Sequence, residues 1–105
     1  MLNLDKFIKK KKQCEYNKKK CYKSIVKTIN FLVETTISQN INFLIYETPP
    51  FIMGEANYDM LECIDYIIRK IKKDKNFKRV LEEILFYEPN LVYIKWDMNK
   101  IEIIL

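Results

Sequence analysis

Between residues 4 and 37 the chain holds neither glycine nor proline, and its apolar residues recur at helical spacing. Cys14, Cys21, Ile25, Ile29, Leu32 and Thr36 fall on one side of such a helix, with Tyr22 and Val33 on its flank. At 1.5 Å per residue this segment would run about 50 Å as one α-helix, farther than the rest of a small domain can cover. Its second half is therefore expected to pack. Its first half, where Leu4, Phe7 and Ile8 are followed by four lysines, is expected to project.

The same segment concentrates the positive charge. Residues 1–30 carry ten lysines against two acids, a net +8, whereas residues 31–105 carry nine bases and twelve acids. The division reads as a lysine-rich N-terminal helix over residues 1–37 and a small α+β body over residues 38–105, in one folding unit. An apolar content of 49% can build a core and excludes wholesale disorder.

Ser38, Gln39 and Asn40 break the helical pattern, and residues 41–47 (INFLIYE) read as a strand. Ile41, Phe43 and Ile45 share one face, and Leu44 and Tyr46 the other. Apolar groups on both faces imply an interior strand covered twice, or one face reserved for a partner. Pro49 and Pro50 end the strand, and Phe51, Ile52, Met53 and Gly54 form a hydrophobic loop. A second helix is expected over residues 58–73, capped by Asp59 with Glu62 or by Asn57. Leu61, Ile64, Ile68 and Ile71 form its inward stripe, with Cys63 and Ile67 beside it.

Residues 77–83 suggest a helical turn or two leading into a strand. Glu88, Pro89 and Asn90 mark a turn. Residues 91–96 alternate as a strand, with Leu91, Tyr93 and Lys95 against Val92, Ile94 and Trp96. A turn at residues 97–100 and an edge strand at 101–105 would follow. The order helix, strand, helix, strand, strand predicts an α+β fold with helices on one face of a small, mostly antiparallel sheet.

Several of these stretches carry a resemblance. ETPPFIMG, YDMLECIDYIIRKI and EPNLVYIKWD, behind the leader MLNLDKFIKKKK, resemble a family of short uncharacterised proteins from large double-stranded DNA viruses. Pro50, Phe51, Gly54, Tyr58, Asp59, Pro89, Asn90, Tyr93 and Trp96 hold the places of the family's pattern. The chain departs from it at Asn76-Phe77, which lacks the expected glycine, and in extra residues around 78–83. The resemblance implies a viral source and supplies no catalytic residue.

Composition narrows the chemistry further. There is no histidine, no glycine-rich phosphate loop and no nucleophile elbow. No enzymatic activity and no cofactor are expected. The competing enzymatic reading is a metal-dependent nuclease built from Glu47, Glu62 and Asp65. Cys14, Cys21 and Cys63 are odd in number, lysines interrupt the apolar stretches near the start, and no apolar run nears the ~20 residues of a spanning helix. Free thiols in a reducing intracellular setting are expected, in host cytoplasm or nucleus or in a virion.

Lys9, Lys10, Lys11, Lys12, Lys18, Lys19 and Lys20 can meet phosphates, with Tyr16 and Tyr22 stacking on unpaired bases. The absence of arginine there predicts salt-sensitive binding indifferent to sequence. The bland alternative is a solvated face. A basic amphipathic leader with Leu2, Leu4, Phe7 and Ile8 would instead lie on an anionic membrane. Phe51, Ile52, Met53 and Trp96 are candidate protein contacts, or else core. The leading expectation is a viral accessory or virion-associated protein that binds nucleic acid and a protein partner. The alternative is an assembly protein whose long helix packs on a copy of itself or on another chain.

Overall fold

Asn40 explains where the first helix stops. Its φ of 62° is the left-handed conformation that asparagine tolerates at a helix C-terminus. Asn40 N–H donates to the Ile37 carbonyl (2.9 Å), and Ile41 N–H reaches back to the Thr36 carbonyl (3.1 Å), closing a Schellman motif. The structure, a computed structural model, describes residues 4–104, and of these every side chain except those of Phe7, residues 11–15 and Ile104. Leu2 and the side chains of Phe7, Lys11, Lys12 and Cys14, invoked above, thus lie outside the described residues.

The chain is α+β. Helix α1 (Leu4–Ser38) leads to strand β1 (Phe43–Glu47), helix α2 (Met60–Lys73), a 3₁₀ turn (Phe77–Arg79), strands β2 (Leu81–Tyr87) and β3 (Leu91–Trp96), and helix α3 (Met98–Ile104). The strands form one antiparallel sheet in the order β1-β3-β2. The molecule measures 64 × 26 × 18 Å, and its long dimension is set by a 35-residue helix whose first turns, with Leu4 and Ile8 exposed, run past the body.

Strand β3 alternates as its sequence does. Val92, Ile94 and Trp96 are all 0% exposed, and they meet Tyr22, Ile25, Ile29 and Val33 of α1 and Cys63, Ile64, Ile67 and Ile71 of α2 in one core. Side chains of successive strand residues point to opposite faces, so Leu91, Tyr93 and Lys95 turn away from the helices. The inward stripe of α1 is rotated from the sequence expectation. Tyr22 and Val33 lie at its centre, while Cys21, Leu32 and Thr36 are half-buried. In α2 the stripe is Cys63, Ile64, Ile67 and Ile71, and Leu61 is exposed.

Asp59 caps α2, accepting from Glu62 N–H (3.1 Å), as one of the two expected caps. The Tyr22 hydroxyl straddles the same residue, donating to the Asp59 carbonyl and accepting from its N–H, each at 3.3 Å. At the other end of the sheet Thr48 N–H donates to the Asn90 carbonyl (2.8 Å) and Asn90 Nδ2 donates to the Thr48 carbonyl (2.9 Å). The turn at Glu88, Pro89 and Asn90 is thereby tied to the end of β1.

Three expectations are corrected. Residues 98–104 form a helix, not an edge strand, because the Asp97 carboxylate accepts from Asn99 N–H (2.9 Å) and Lys100 N–H (3.4 Å) and caps it. Strand β2 begins at Leu81, where pairing with Trp96 wins over further helix. Strand β1 is not interior. It lies at the sheet edge with Phe43 and Ile45 exposed, which leaves only the reading of an open face.

Candidate functional site

With 100° of turn per residue, the side of α1 opposite its buried stripe carries Lys9, Tyr16, Lys20, Lys23, Lys27 and Phe31, and the exposed acid Glu34 follows one turn beyond Phe31. All six are exposed, and the two aromatics are open to solvent, Tyr16 at 62% and Phe31 at 65%. Tyr16 and Phe31 lie about 22 Å apart along the axis, bracketing Lys20, Lys23 and Lys27. Among the described residues no carboxylate pairs with Lys9, Lys10, Lys19, Lys20, Lys23 or Lys27. Lys10 and Lys19 flank the stripe on its two sides.

Lys18 behaves differently. Its ammonium is 2.8 Å from the Glu62 carboxylate on α2, and that hydrogen bond holds the lysine above its ordinary pKa. It fastens α1 to the body. Tyr22 also leaves the expected site: it is 2% exposed, packed edge-on against Tyr58 and tilted against Tyr66, with its hydroxyl held by Asp59. A ring so enclosed cannot stack on a base. The residues that the sequence reading missed are Lys23, Lys27 and Phe31. Their spacing from Tyr16 and Lys20 is visible in the sequence, whereas the consecutive lysines that form its clusters are spread by a helix around its circumference.

The candidate protein contacts divide in the same way. Phe51 and Met53 are 70% and 88% exposed, while Ile52 between them anchors the loop against the core. Gly54, at φ 80°, and a hydrogen bond from Glu55 N–H to the Ile52 carbonyl (3.1 Å) make the turn that presents them. Trp96 is 0% exposed and belongs to the core, so it is withdrawn as a contact.

The three acids considered for a nuclease are not gathered. Glu62 holds Lys18 and Asp65 holds Arg69 (2.9 Å), both on α2, while Glu47 ends β1 on the sheet face turned from the helices. Among the described residues no group of three His, Cys, Asp or Glu side chains stands as a metal cage. Among them, too, no helix is long and apolar enough to cross a membrane.

The described cysteines are free, and both are poor nucleophiles. Burial raises the Cys21 thiol, with Glu55 adding to the effect, and burial pushes Cys63 from 9.0 to about 11. Burial likewise raises Tyr46 and Tyr58. In each case the folded state keeps a proton that the unfolded chain releases first. Stability is therefore complete below pH 9 and falls as pH rises toward 11. The urea midpoint should be level from neutrality to pH 9 and then drop, and Cys63→Ala should flatten part of the drop. A midpoint unchanged across that window would contradict the burial argument.

The model of a family of unknown function, DUF5759, matches residues 2–72, which take in α1, β1, the Phe51–Gly54 loop and almost all of α2. No protein of curated function and no solved structure matches the chain.

Proposed function

The chain belongs to the DUF5759 family of unknown function, and we propose that it acts by binding rather than by catalysis, with the outward stripe of α1 as a non-specific site for nucleic acid or a similar polyanion. The observation that carries this reading is the bracketing of exposed Lys20, Lys23 and Lys27, which no carboxylate pairs among the described residues, by two exposed rings, Tyr16 and Phe31. Lysines spaced along one side follow a phosphate backbone, and rings at either end offer platforms to unpaired bases. Single strands are favoured over duplex because a stacked duplex offers no free base faces. Lys9, Lys10 and Lys19 widen the positive field. Phe51 and Met53 present a second, apolar contact for a protein partner. A viral accessory or virion-associated role, in host cytoplasm, nucleus or virion, is part of the proposal and rests on the resemblance of the sequence motifs.

Against the assembly alternative stands the packing of the apolar stripe of α1 on α2 and β1 within the chain. Ile25→Asp would unfold the protein, not dissociate a complex. On the stripe's own side of α1, the projecting Leu4 and Ile8 are the apolar residues left exposed among the described residues.

Fluorescence anisotropy with a labelled single-stranded oligonucleotide and with heparin tests the reading. Tyr16→Ala and Phe31→Ala should each weaken oligonucleotide binding by roughly 1–3 kcal/mol and leave heparin binding nearly unchanged. Equal loss for both ligands would reduce the stripe to a plain cation array. No binding of either at low salt would end the proposal.

A further inference from the structure

The sheet face turned away from the helices is open, and its residues form a three-by-three array fixed by strand register. The middle row is apolar throughout: Ile45 pairs with Tyr93, and Tyr93 pairs with Leu85. One flanking row is Phe43, Lys95 and Glu83, and the other is Glu47, Leu91 and Tyr87. Ile45 is 55% exposed, Leu85 41%, Phe43 43% and Tyr87 51%. Tyr93 stacks on Phe43 and meets Tyr87 edge-on, so the rings form one ordered patch. Scattered apolar residues on a surface are ordinary, but a contiguous aromatic and aliphatic sheet face marks an interaction site.

Charge selects the occupant. The rim carries Glu47, Glu82 and Glu83 against Lys95, which already lies 3.5 Å from Glu82. This local excess of acid repels phosphate and rules out nucleic acid for this face. We infer that the face is covered by the same face of a second copy of the chain, related by a two-fold axis lying in the interface and perpendicular to the strands. That operation places the middle row on itself, Ile45 on Ile45, Tyr93 on Tyr93 and Leu85 on Leu85. It sets Glu83 over the partner's Tyr87 and Glu47 over the partner's Phe43, so no like charges oppose. Lys95 comes to rest over the partner's Leu91, one strand spacing from the partner's Glu47, within reach of an ion pair made twice by symmetry. A two-fold along the strands would place Lys95 on Lys95, which excludes it.

The patch spans three strands and five residues, about 15 Å by 17 Å with side chains. In flat projection two such faces together cover on the order of 500 Å², below the ~1,000 Å² of a stable interface, so weak association at high micromolar concentration is expected. The layers would run helix, sheet, sheet, helix. Both α1 stripes would remain outside and free, and this assembly stands whether or not they bind polyanions.

Sedimentation equilibrium on the full chain up to high micromolar concentrations provides the test. Wild type should dimerise. Lys95→Glu alone and Glu47→Lys alone should each weaken self-association by about tenfold or more, since each sets two like-charged pairs across the axis. An equimolar mixture of the two variants should associate again, because both cross-pairs then have opposite sign. Circular dichroism keeps the variants honest as folded proteins, and rescue in the mixture cannot arise from a folding defect. A wild type that stays monomeric, a Lys95→Glu variant that dimerises normally, or a mixture no tighter than its components would each overturn the inference.

Discussion

Replacing Lys20, Lys23 and Lys27 together by glutamine is expected to weaken binding to a single-stranded oligonucleotide by several hundredfold at 50 mM salt. Each lysine that neutralises a phosphate of a single strand releases ~0.7 counterion, so three lysines carry about two units of the slope of log K against log salt. The variant's line should therefore be shallower by about two, and the gap should close as salt rises. Melting should not move, because the three side chains are exposed and no carboxylate pairs with them among the described residues. Lys18→Gln is the contrasting case. It removes the ion pair to Glu62, so it should lower stability by about 0.2–1 kcal/mol and leave the salt slope nearly intact. A triple variant with the wild-type slope would show that phosphates bind elsewhere on the chain.

That contrast shows what a lysine count cannot reveal. Lys18, Lys19 and Lys20 are indistinguishable in the sequence, yet the helix sends the first to Glu62, the second to a flank and the third to the outward stripe. Tyr16 and Tyr22 were equally ambiguous. Six residues apart, they point about 120° from each other around the helix, and of the two only Tyr16 is available to a ligand. The long helix itself was legible because nothing in the first 37 residues opposes it, and β3 because its alternation is strict. The last segment was not. Residues 101–105 have the β-branched composition of a strand, but the preceding Asp97 supplies a cap, and that local hydrogen bonding wins. The two-sided apolar pattern of β1 stated a choice that only sheet order resolves. At an edge, with α1 on one side, its second face is left over.

Trp96→Ala should cost about 3–5 kcal/mol, the usual penalty for emptying a fully buried aromatic site. Small domains have about 5–15 kcal/mol in all, so the variant would retain a small part of its stability or lose it entirely. Trp96 is 0% exposed and stands at the end of β3, where Leu81 pairs with it and the Phe77 ring meets it edge-on at 6.1 Å. Its backbone N–H donates to the Asn42 carbonyl (3.0 Å), joining the start of β1 to the same corner. Removing the indole therefore loosens the 3₁₀ turn, β2 and β1 at once. With a urea m-value of 1–3 kcal/mol/M, the midpoint should fall by roughly 2 M.

Trp96→Phe separates shape from hydrogen bonding. The indole Nε1 is buried without an acceptor among the described residues, so phenylalanine gives up volume but also removes an unpaired donor. Its cost should stay below about 1.5 kcal/mol. A partner-contact role for Trp96 predicts the reverse pattern, with both variants as stable as wild type and only association lost. Because Trp96 is the sole tryptophan, its fluorescence reports the same site directly. Emission from the folded protein should be blue-shifted, moving to the red on unfolding at the midpoint seen by circular dichroism. A tryptophan already emitting as in water before denaturant is added would remove Trp96 from the core, and with it the corner that joins β1, β2 and β3.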